Sequence, residues 1–399
     1  MNLSLQFAAR IPDASYRNPS RHIISGYANI ERPPADRIAE SPTAITASVP
    51  ERLAIPAGCP EARAANPYTA GMTTHPYDEL TPGRILDAVE TTGLRCDGRL
   101  LALNSYENRV YQVGIEDTTP VIAKFYRPQR WTPAAIREEH GFSRELAGRE
   151  VPVIAPLADS RGETLHEHAG FRFAVYPRCG GRAPDLEQRD TLVRIGRFIA
   201  RIHEVGRADR FHERPVLDPG PRGEEAREAV LASGYLPLEL ESVYRDLSAD
   251  VLGRIQRDLD TIGPIPQLRL HGDTHPGNIL WTDEGPHFVD LDDACTGPAM
   301  QDLWMFLSGE PSEMAWQMHA LLEGYETFVP LDRRELGLIA PLRTLRILRH
   351  AAWLARRADD PAFVDGFPIF YTPRFWEDHI LTLREQAAAL DEPALDLGY

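Results

Sequence analysis

The hydrophobic period of this chain changes near Gly180 and Gly181, and this change constrains the fold more than any other feature. Before it, apolar and polar residues alternate in short runs, a pattern typical of half-buried antiparallel strands. After it, apolar residues such as Leu192, Ile195 and Ile199 recur every three or four positions, which is typical of amphipathic helices. We therefore predict an α+β architecture with two lobes, a small antiparallel β-rich lobe with one embedded helix and a larger helical lobe.

The same patterns give bounds for the individual elements. Strands are predicted at 100–104, 109–115, 120–125, 151–157, 172–176, 268–270, 278–281 and 288–291. Helices are predicted at 82–89, 133–146, 192–203, 224–231 and 238–259, with mainly helical chain from 299 to 390. The β-rich lobe is placed at 72–178 and the helical lobe at 179–399.

The first 71 residues have a different character from the rest. They contain nine prolines and no sustained helical or strand period. A segment with so little apolar surface to bury cannot offset the entropy that ordering would cost. We expect residues 1–71 to be a disordered or mis-annotated N-terminal extension.

Charge and cysteine usage exclude several classes of protein. Basic residues number 43 and acidic residues 59, so the formal net charge is −16. Such a charge repels phosphate backbones and anionic lipid, so neither nucleic acid nor a membrane is an expected partner. The four cysteines lie far apart in the sequence, which favours free thiols in a reducing compartment. We expect a cytoplasmic protein.

Lys124 is the only lysine in the chain, and the other 42 basic residues are arginines. Where any solvated cation suffices, arginine has replaced lysine throughout. Lys124 lies instead within the apolar run 121–125. Lysine differs from arginine most where a compact point charge on a narrow stem is needed, so this position predicts a special role for the ammonium group.

The strongest chemical signal is a loop that carries Asp273 and Asn278 between two apolar runs, followed by Asp290 after a further run. Phosphoryl transfer requires side chains of these types. Mg²⁺ prefers hard oxygen ligands such as a carboxylate and an amide, and a separate carboxylate accepts the proton of the attacking hydroxyl. A capping turn with a polar network would explain the loop but neither Asp290 nor Lys124. The pattern therefore favours a phosphotransferase site.

Lys124 would complete such a site by holding the nucleotide phosphates from the sheet side. An acid on the following helix would fix the reach of the lysine, with Glu139 as the first choice and Glu138 as the second. A transition-metal site at His271 and His275 is a weaker interpretation. Zinc sites need three or four such ligands, and no third histidine falls at a regular spacing.

The sequence His271-Gly272-Asp273 with Asn278, followed by Asp290, is similar to the catalytic elements of the aminoglycoside phosphotransferase/choline kinase-like group, which has the protein kinase-like fold. More narrowly, segments within 103–112, 124–131 and 288–305 resemble the bacterial stress response kinase A family. That family consists of cytoplasmic, monomeric serine/threonine protein kinases that depend on ATP and Mg²⁺ and are implicated in protecting stressed cells. The likeness runs from about residue 79 to the C-terminus.

The resemblance implies a role for each matching position. Asp273 would accept the proton, Asn278 and Asp290 would hold Mg²⁺ with Asp290 also counted as catalytic, and Ser105 would lie over the ATP phosphates. The chain departs from the protein kinase pattern in three places, one of which is Asp290-Leu291-Asp292 where protein kinases have Asp-Phe-Gly. The loop 104–108 contains no glycine, and His275 stands two residues after the base, where protein kinases usually have lysine.

Two other functions stay open at this point. A small-molecule kinase acting on an amino alcohol, sugar or antibiotic would share the fold, and the acidic chain suits a cationic acceptor. A pseudokinase would bind nucleotide without transferring phosphate, although the four residues that transfer needs are all present. The sequence does not identify the hydroxyl acceptor.

Three further acids have mainly structural interpretations. Asp302 is expected to anchor the catalytic loop or to cap its own helix. Asp292 and Asp293 are interpreted as a loop-closing pair or as accessory metal ligands.

Overall fold

A five-stranded antiparallel sheet forms the smaller lobe. The computed structural model describes residues 75–398. The strands are β1 (Cys96–Ala102), β2 (Arg109–Ile115), β3 (Val121–Phe125), β4 (His166–His168) and β5 (Phe171–Pro177). In space they lie in the order β1-β2-β3-β5-β4, so that β3 is central and paired on both sides. The helix α1 (Pro82–Glu90) precedes the sheet and α2 (Pro133–Gly148) lies between β3 and β4.

Two threonines set the starts of the helices in this lobe. The side chain of Thr81 accepts a hydrogen bond from the backbone of Arg84, and that of Thr132 accepts one from the backbone of Ala135. A proline occupies the first helical position in each case, where its missing N–H costs nothing. The start predicted for α1 is thereby confirmed.

The alternation of side chains along β3 decides where the sole lysine points. Ala123 and Phe125 are buried in an apolar cluster that also contains Phe173 of β5. Successive side chains of a strand point to opposite faces of the sheet. Lys124 therefore leaves the opposite face, towards the helical lobe.

The larger lobe is mainly helical, with two small two-stranded sheets between its helices. Its helices are α3 (Arg189–Gly206), α4 (Pro219–Ala232), α5 (Leu238–Ile262), α6 (Pro311–Tyr325), α7 (Ile339–Arg357), α8 (Pro361–Gly366) and α9 (Pro373–Ala389). In one sheet β6 (Leu268–Leu270) pairs with β9 (Cys295–Gly297), and between them in the chain a hairpin pairs β7 (Ile279–Thr282) with β8 (Gly285–Phe288). The loops that the sequence analysis identified connect the strands of these two sheets.

Apolar packing continues from α2 into the helical lobe. Phe142 and Leu146, in the C-terminal half of α2, belong to the same buried cluster as Ile199 of α3 and Phe288 of β8. The ring of Phe142 also meets that of Phe211 edge-on, with the centroids 5.3 Å apart. Because α2 packs on both lobes, it fixes the sheet relative to the hairpin loops.

The strand predicted at 151–157 is wrong. This segment makes only an isolated parallel bridge, between Val153 and Phe288. Pro152 and Pro156 have no N–H to donate, so a continuous ladder cannot form. Val151 and Val153 are buried here by tertiary packing instead.

The strands differ from the prediction in two other places. The strand β4, which is three residues long, was not predicted because it is too short to display a period. The strand predicted at 288–291 ends at Phe288. Asp290 adopts a left-handed conformation with φ of 63°, which breaks the extended chain.

The extension predicted at residues 1–71 lies outside the described residues. Among residues 75–398, none of the helices combines the length and the apolar character that crossing a lipid bilayer requires.

Candidate active site

A fully buried carboxylate anchors the loop after β6. Asp302 accepts hydrogen bonds from the backbone N–H groups of His271 (2.9 Å) and Gly272 (2.8 Å). The imidazole Nε2 of His203 lies 3.2 Å from the same carboxylate. The prediction that Asp302 anchors the catalytic loop is confirmed.

Gly272 allows this loop to approach the chain after Asp290. Its φ is 83°, a conformation that residues with a side chain rarely adopt. A Cβ atom at this position would lie 2.2 Å from the carbonyl oxygen of Asp293. Glycine is therefore required for the two loops that carry the predicted site residues to pack against each other.

Asp273 is buried, and each of its two oxygens has a nitrogen-bearing side chain beside it. Its Oδ1 accepts a hydrogen bond from Nη1 of Arg346 (2.6 Å), and its Oδ2 lies 3.5 Å from Nε2 of His275. Burial alone would raise the pKa of this carboxyl group, but Arg346 and His275 hold it well below its usual value. Nδ1 of His275 accepts a hydrogen bond from the backbone of Gly277, so the ring proton lies on Nε2 and faces Asp273.

The hairpin of β7 and β8 places Asn278 beside Asp290. Asn278 immediately precedes β7, and its carbonyl accepts a hydrogen bond from the backbone of Val289 (3.0 Å), the residue before Asp290. The side-chain amide of Asn278 donates to the carbonyl oxygen of Asp273 (3.0 Å). The asparagine is thereby oriented by the catalytic loop while it stands next to Asp290.

Lys124 reaches across from the sheet to this loop. Its Nζ lies 2.7 Å from Oδ1 of Asp290 and 3.4 Å from Oδ1 of Asp292. The lysine side chain is only 9% exposed, whereas that of Asp290 is 40% exposed. Burial alone would lower the pKa of the ammonium group, but Asp290 and Asp292 raise it well above its usual value. The lysine is therefore charged.

The expected ion pair between Lys124 and Glu139 is not formed, and this part of the prediction is wrong for the structure. Glu139 is buried, and its Oε1 accepts a hydrogen bond from Oγ of Ser143 (3.1 Å). Burial raises the pKa of Glu139 to about 7, although the nearby charge of Lys124 opposes the shift. The ammonium group of Lys124 forms its ion pairs with Asp290 and Asp292, so Glu139 lies nearby without contacting it.

Glu138, the second choice for this pair, points to another part of the molecule. Its two oxygens accept hydrogen bonds from three consecutive backbone N–H groups, those of His212 (2.6 Å), Glu213 (2.8 Å) and Arg214 (2.7 Å). Glu138 therefore ties α2 to the loop before α4. It has no contact with Lys124.

Ser105 lies in the turn between β1 and β2 and stabilises that turn. Its Oγ accepts a hydrogen bond from the backbone of Val110 (3.1 Å) and donates to the carbonyl oxygen of Leu103 (3.4 Å). The same turn is docked on the helical lobe, because Glu107 accepts hydrogen bonds from Trp353 (2.6 Å) and Arg357 (2.8 Å) of α7. The turn that carries Ser105 therefore closes over the site from the sheet side.

Asp292 and Asp293 connect the loop after β8 to the smaller lobe. Asp292 accepts a hydrogen bond from the side chain of Asn108 (3.1 Å) and forms an ion pair with Arg130, which also contacts Asp293 (2.8 Å). Burial would raise the pKa of Asp292, but Arg130 and Lys124 hold it below its usual value. These contacts fit the loop-closing interpretation.

The donors beside Lys124 are suited to Mg²⁺ and not to zinc. Asp290 offers a partly exposed carboxylate, and Oδ1 of Asn278 makes no hydrogen bond within residues 75–398. Across that same range, three or more His, Cys, Asp and Glu side chains nowhere converge in a way that could hold a metal ion. One carboxylate and one amide oxygen, completed by phosphate oxygens, are a common ligand set for Mg²⁺.

The sequence interpretation missed Arg346 and the docking of Glu107 on α7. Arg346, Trp353 and Arg357 recur at helical spacing on α7, so they lie along one side of the helix. That spacing was the available signal. Its target could not be read from the sequence, because Glu107 and Asp273 are far from α7 along the chain.

Comparison with known proteins places these features in a family. The model of the "Phosphotransferase enzyme family" matches residues 99–338. The chain is 43% identical over 324 residues to stress response kinase A from Escherichia coli K12, a match that covers 80% of this chain and 97% of the relative. It is 42% identical over 321 residues to serine/threonine protein kinase RdoA from Salmonella typhimurium, with the same coverage of both chains.

Solved structures share the fold at much lower identity. The amicoumacin kinase hAmiN, in complex with AMP-PNP and Ca²⁺, aligns with a TM-score of 0.59 and 18% identity over 77% of this chain and 93% of that one. A spectinomycin phosphotransferase in complex with ADP and spectinomycin aligns with a TM-score of 0.54 and 15% identity over 77% and 98% of the two chains. The two-lobed kinase-like fold predicted from the sequence is confirmed.

Proposed function

This chain belongs to the phosphotransferase enzyme family and, within it, to the stress response kinase A family, and from that premise we propose that it is a Mg²⁺-dependent serine/threonine protein kinase. As a member it is an ATP-dependent phosphotransferase. The proposal adds the metal and the chemical class of the acceptor, a serine or threonine hydroxyl of a protein. It also includes a cytoplasmic, monomeric protein with a role in the stress response.

One contact supports the proposal most directly, the 2.7 Å approach of Lys124 to Asp290 between the lobes. A charged lysine on the sheet and an accessible carboxylate on the hairpin are the groups that would face each other across a nucleotide triphosphate. Asp290 would turn from the lysine towards the metal when nucleotide enters. The lysine would then hold the phosphates.

Each remaining residue has a proposed task that follows from its contacts. Asn278, oriented by its bond to Asp273, would hold the metal together with Asp290. When bound, Mg²⁺ would offset the negative charge of the phosphates. Ser105 and the backbone of its turn would contact the phosphates from above, and Glu139 would tune the charge around Lys124 without touching it.

Asp273 is the proposed proton acceptor of the transfer step. Arg346 and His275 keep it ionised, and an ionised carboxylate can accept a hydrogen bond from an incoming hydroxyl group. Its low pKa makes it a weak base, so its main contribution is to orient the hydroxyl. It takes the proton as the hydroxyl oxygen bonds to the γ-phosphorus of ATP, while the bond from that phosphorus to the bridging oxygen breaks and ADP leaves.

The test is incubation of the purified full chain with γ-labelled ATP and Mg²⁺. Separate reactions contain the enzyme alone, a mixture of unrelated proteins, and a set of amino alcohols, sugars and aminoglycosides. We expect label on protein serine or threonine, and no label without Mg²⁺. Label confined to a small molecule would favour the small-molecule kinase alternative, and nucleotide binding with no transfer would favour a pseudokinase.

A further inference from the structure

The helix α7 presents positive charge on the acceptor side of Asp273. Arg346 contacts the carboxylate directly, at 2.6 Å. Arg349 lies three residues further along the same helix, so it occupies the same side about one turn away. Arg222 lies on α4, which packs against α7, and adds a third guanidinium group.

Two of these three arginines have no acidic partner. Among residues 75–398, the side chains of Arg349 and Arg222 make no hydrogen bond and no ion pair. Arg349 is exposed to solvent and Arg222 is half-buried. The cluster therefore keeps a net positive charge.

Other arginines close to the site are neutralised by acids. Arg130 contacts Asp292 and Asp293, and Arg357 contacts Glu107 at 2.8 Å. These pairs show that the chain, with its net charge of −16, has acids available where it closes the cleft. The positive charge left at Arg349 lies instead about one helical turn from the contact between Arg346 and Asp273.

We propose that Arg349 and Arg222 bind an acidic side chain of the protein acceptor, so that the kinase selects serine or threonine residues with an aspartate or glutamate nearby. This inference rests on the proposed protein kinase function and specifies the substrate class of the same site. It reverses the expectation, drawn from the acidic composition, that a cationic acceptor would be favoured. The remaining surface repels acidic segments, so the cluster also guides them to the site.

The spacing along α7 gives the distance between the two acceptor groups. One turn of an α-helix rises about 5.4 Å, and an extended peptide rises about 3.3 Å per residue. One helical turn therefore matches about two residues of extended peptide, so an acceptor hydroxyl at Asp273 places the acidic side chain about two residues away. An acid next to the acceptor serine would not reach Arg349.

The experiment compares synthetic peptides that carry one serine in a neutral background. Glutamate, glutamine or arginine is placed two or three residues to either side of the serine, and kcat and KM are measured with the full chain, ATP and Mg²⁺. We expect kcat/KM for the best glutamate peptide to exceed that of its glutamine counterpart by about tenfold, mainly through KM. The ratio should fall towards one when salt is raised from about 0.05 M to about 0.5 M.

Charge reversal separates recognition from structural effects. Arg349→Glu should invert the preference, so that the arginine peptide has a lower KM than the glutamate peptide, and Arg349→Gln should abolish the preference. The matched control is Arg384→Glu on α9, which changes an exposed arginine without altering the preference. Melting temperatures establish that each variant is folded, and the ratio measured for the natural chain tests the inference without any variant.

The outcomes distinguish this inference from the proposed function. Equal kcat/KM for glutamate, glutamine and arginine peptides, or a preference for arginine, would overturn the acidic acceptor while leaving a protein kinase. If no peptide or protein is labelled while a small alcohol is, the protein kinase function fails and the acidic acceptor with it.

Discussion

Lys124 lies at a point where two carboxylates converge on one buried atom. Its Nζ lies 2.7 Å from Oδ1 of Asp290 and 3.4 Å from Oδ1 of Asp292, and the lysine side chain is 9% exposed. A guanidinium group is planar and larger, so it cannot replace an ammonium there without moving the sheet or the loop. The composition of the chain and the geometry of the site agree on this residue.

The first prediction concerns this residue. Lys124→Arg should lower kcat/KM for phosphoryl transfer by about 10²-fold, because the cation no longer fits between the phosphates and the loop. Steady-state kinetics measure the effect, with Arg161→Lys as a control at an exposed position. Full activity of Lys124→Arg would show that the lone lysine is incidental.

Glu139 should make stability depend on pH in a defined window. Its pKa rises from 4.5 to about 7 on folding, so the unfolded chain ionises this group first as the pH increases. The contribution of Glu139 is therefore complete below pH 4.5 and is lost between pH 4.5 and about 7. Buried histidines such as His140, whose pKa is lowered to about 3, act in the opposite direction.

A comparison with Glu139→Gln isolates this effect. The free energy of unfolding, measured by urea denaturation at several pH values, should fall less steeply in the variant, by up to about 1.4 kcal/mol per pH unit. Glu167→Gln, at an exposed position, is the control. If the wild-type and Glu139→Gln curves run parallel between pH 4.5 and 7, Glu139 ionises normally.

At the scale of elements, local signals explain most of the fold. The alternation that predicts β2 at Arg109–Ile115 and β6 at Leu268–Leu270 is confirmed to the residue. The segment 151–157 has the same alternation but forms no strand, because Pro152 and Pro156 lack the backbone N–H group that a ladder needs. Val151 and Val153 are buried by tertiary packing instead. A hydrophobic period indicates which residues are buried, but it does not indicate the hydrogen-bond partners of their backbone groups.

The site was predictable only in part for a related reason. Asp273, Asn278 and Asp290 lie on loops between strands that are close in the sequence, so their proximity follows from short-range connections. The choice of partner for Lys124 and the pairing of Arg346 with Asp273 depend on how separate helices pack. The roles assigned to Ser105, Glu139 and the metal ligands stay predictions, as does the division of the lobes at residues 178 and 179.

The helix α2 should be held rigidly by Glu138. Glu138→Ala removes the acceptor for three backbone N–H groups at 212–214, and we expect a loss of about 1–3 kcal/mol of unfolding free energy. Urea denaturation measures it, with Glu116→Ala as a control at an exposed, unpaired position. A loss equal to that of the control would mean that the loop is anchored by other contacts.

At the scale of the whole molecule, buried charge pairs join the two lobes. Asp360, at the start of α8, pairs with Arg127 (2.5 Å) and Arg109 (3.3 Å) of the smaller lobe. Glu107 and Asp292 bridge the lobes in the same way. The lobes are therefore expected to unfold together.

Differential scanning calorimetry tests this coupling. The natural chain should give one transition with equal calorimetric and van't Hoff enthalpies. Asp360→Asn should lower stability by about 3 kcal/mol, because it leaves buried arginines without a counter-charge, and should separate the melting of the smaller lobe. Asp365→Asn, on the same helix but exposed, should change neither. Two transitions in the natural chain would contradict the coupling.

The most direct test of the account is to measure ATP binding and phosphoryl transfer in parallel for Asp273→Asn and Asp290→Asn, with exposed Asp246→Asn as the control. The account predicts that Asp273→Asn binds ATP about as tightly as the natural chain in the presence of Mg²⁺ but transfers phosphate about 10³-fold more slowly. Asp290→Asn should lose the Mg²⁺-dependent part of ATP affinity as well as transfer. If both variants bind ATP with Mg²⁺ and transfer phosphate like the control, these residues do not form the catalytic site.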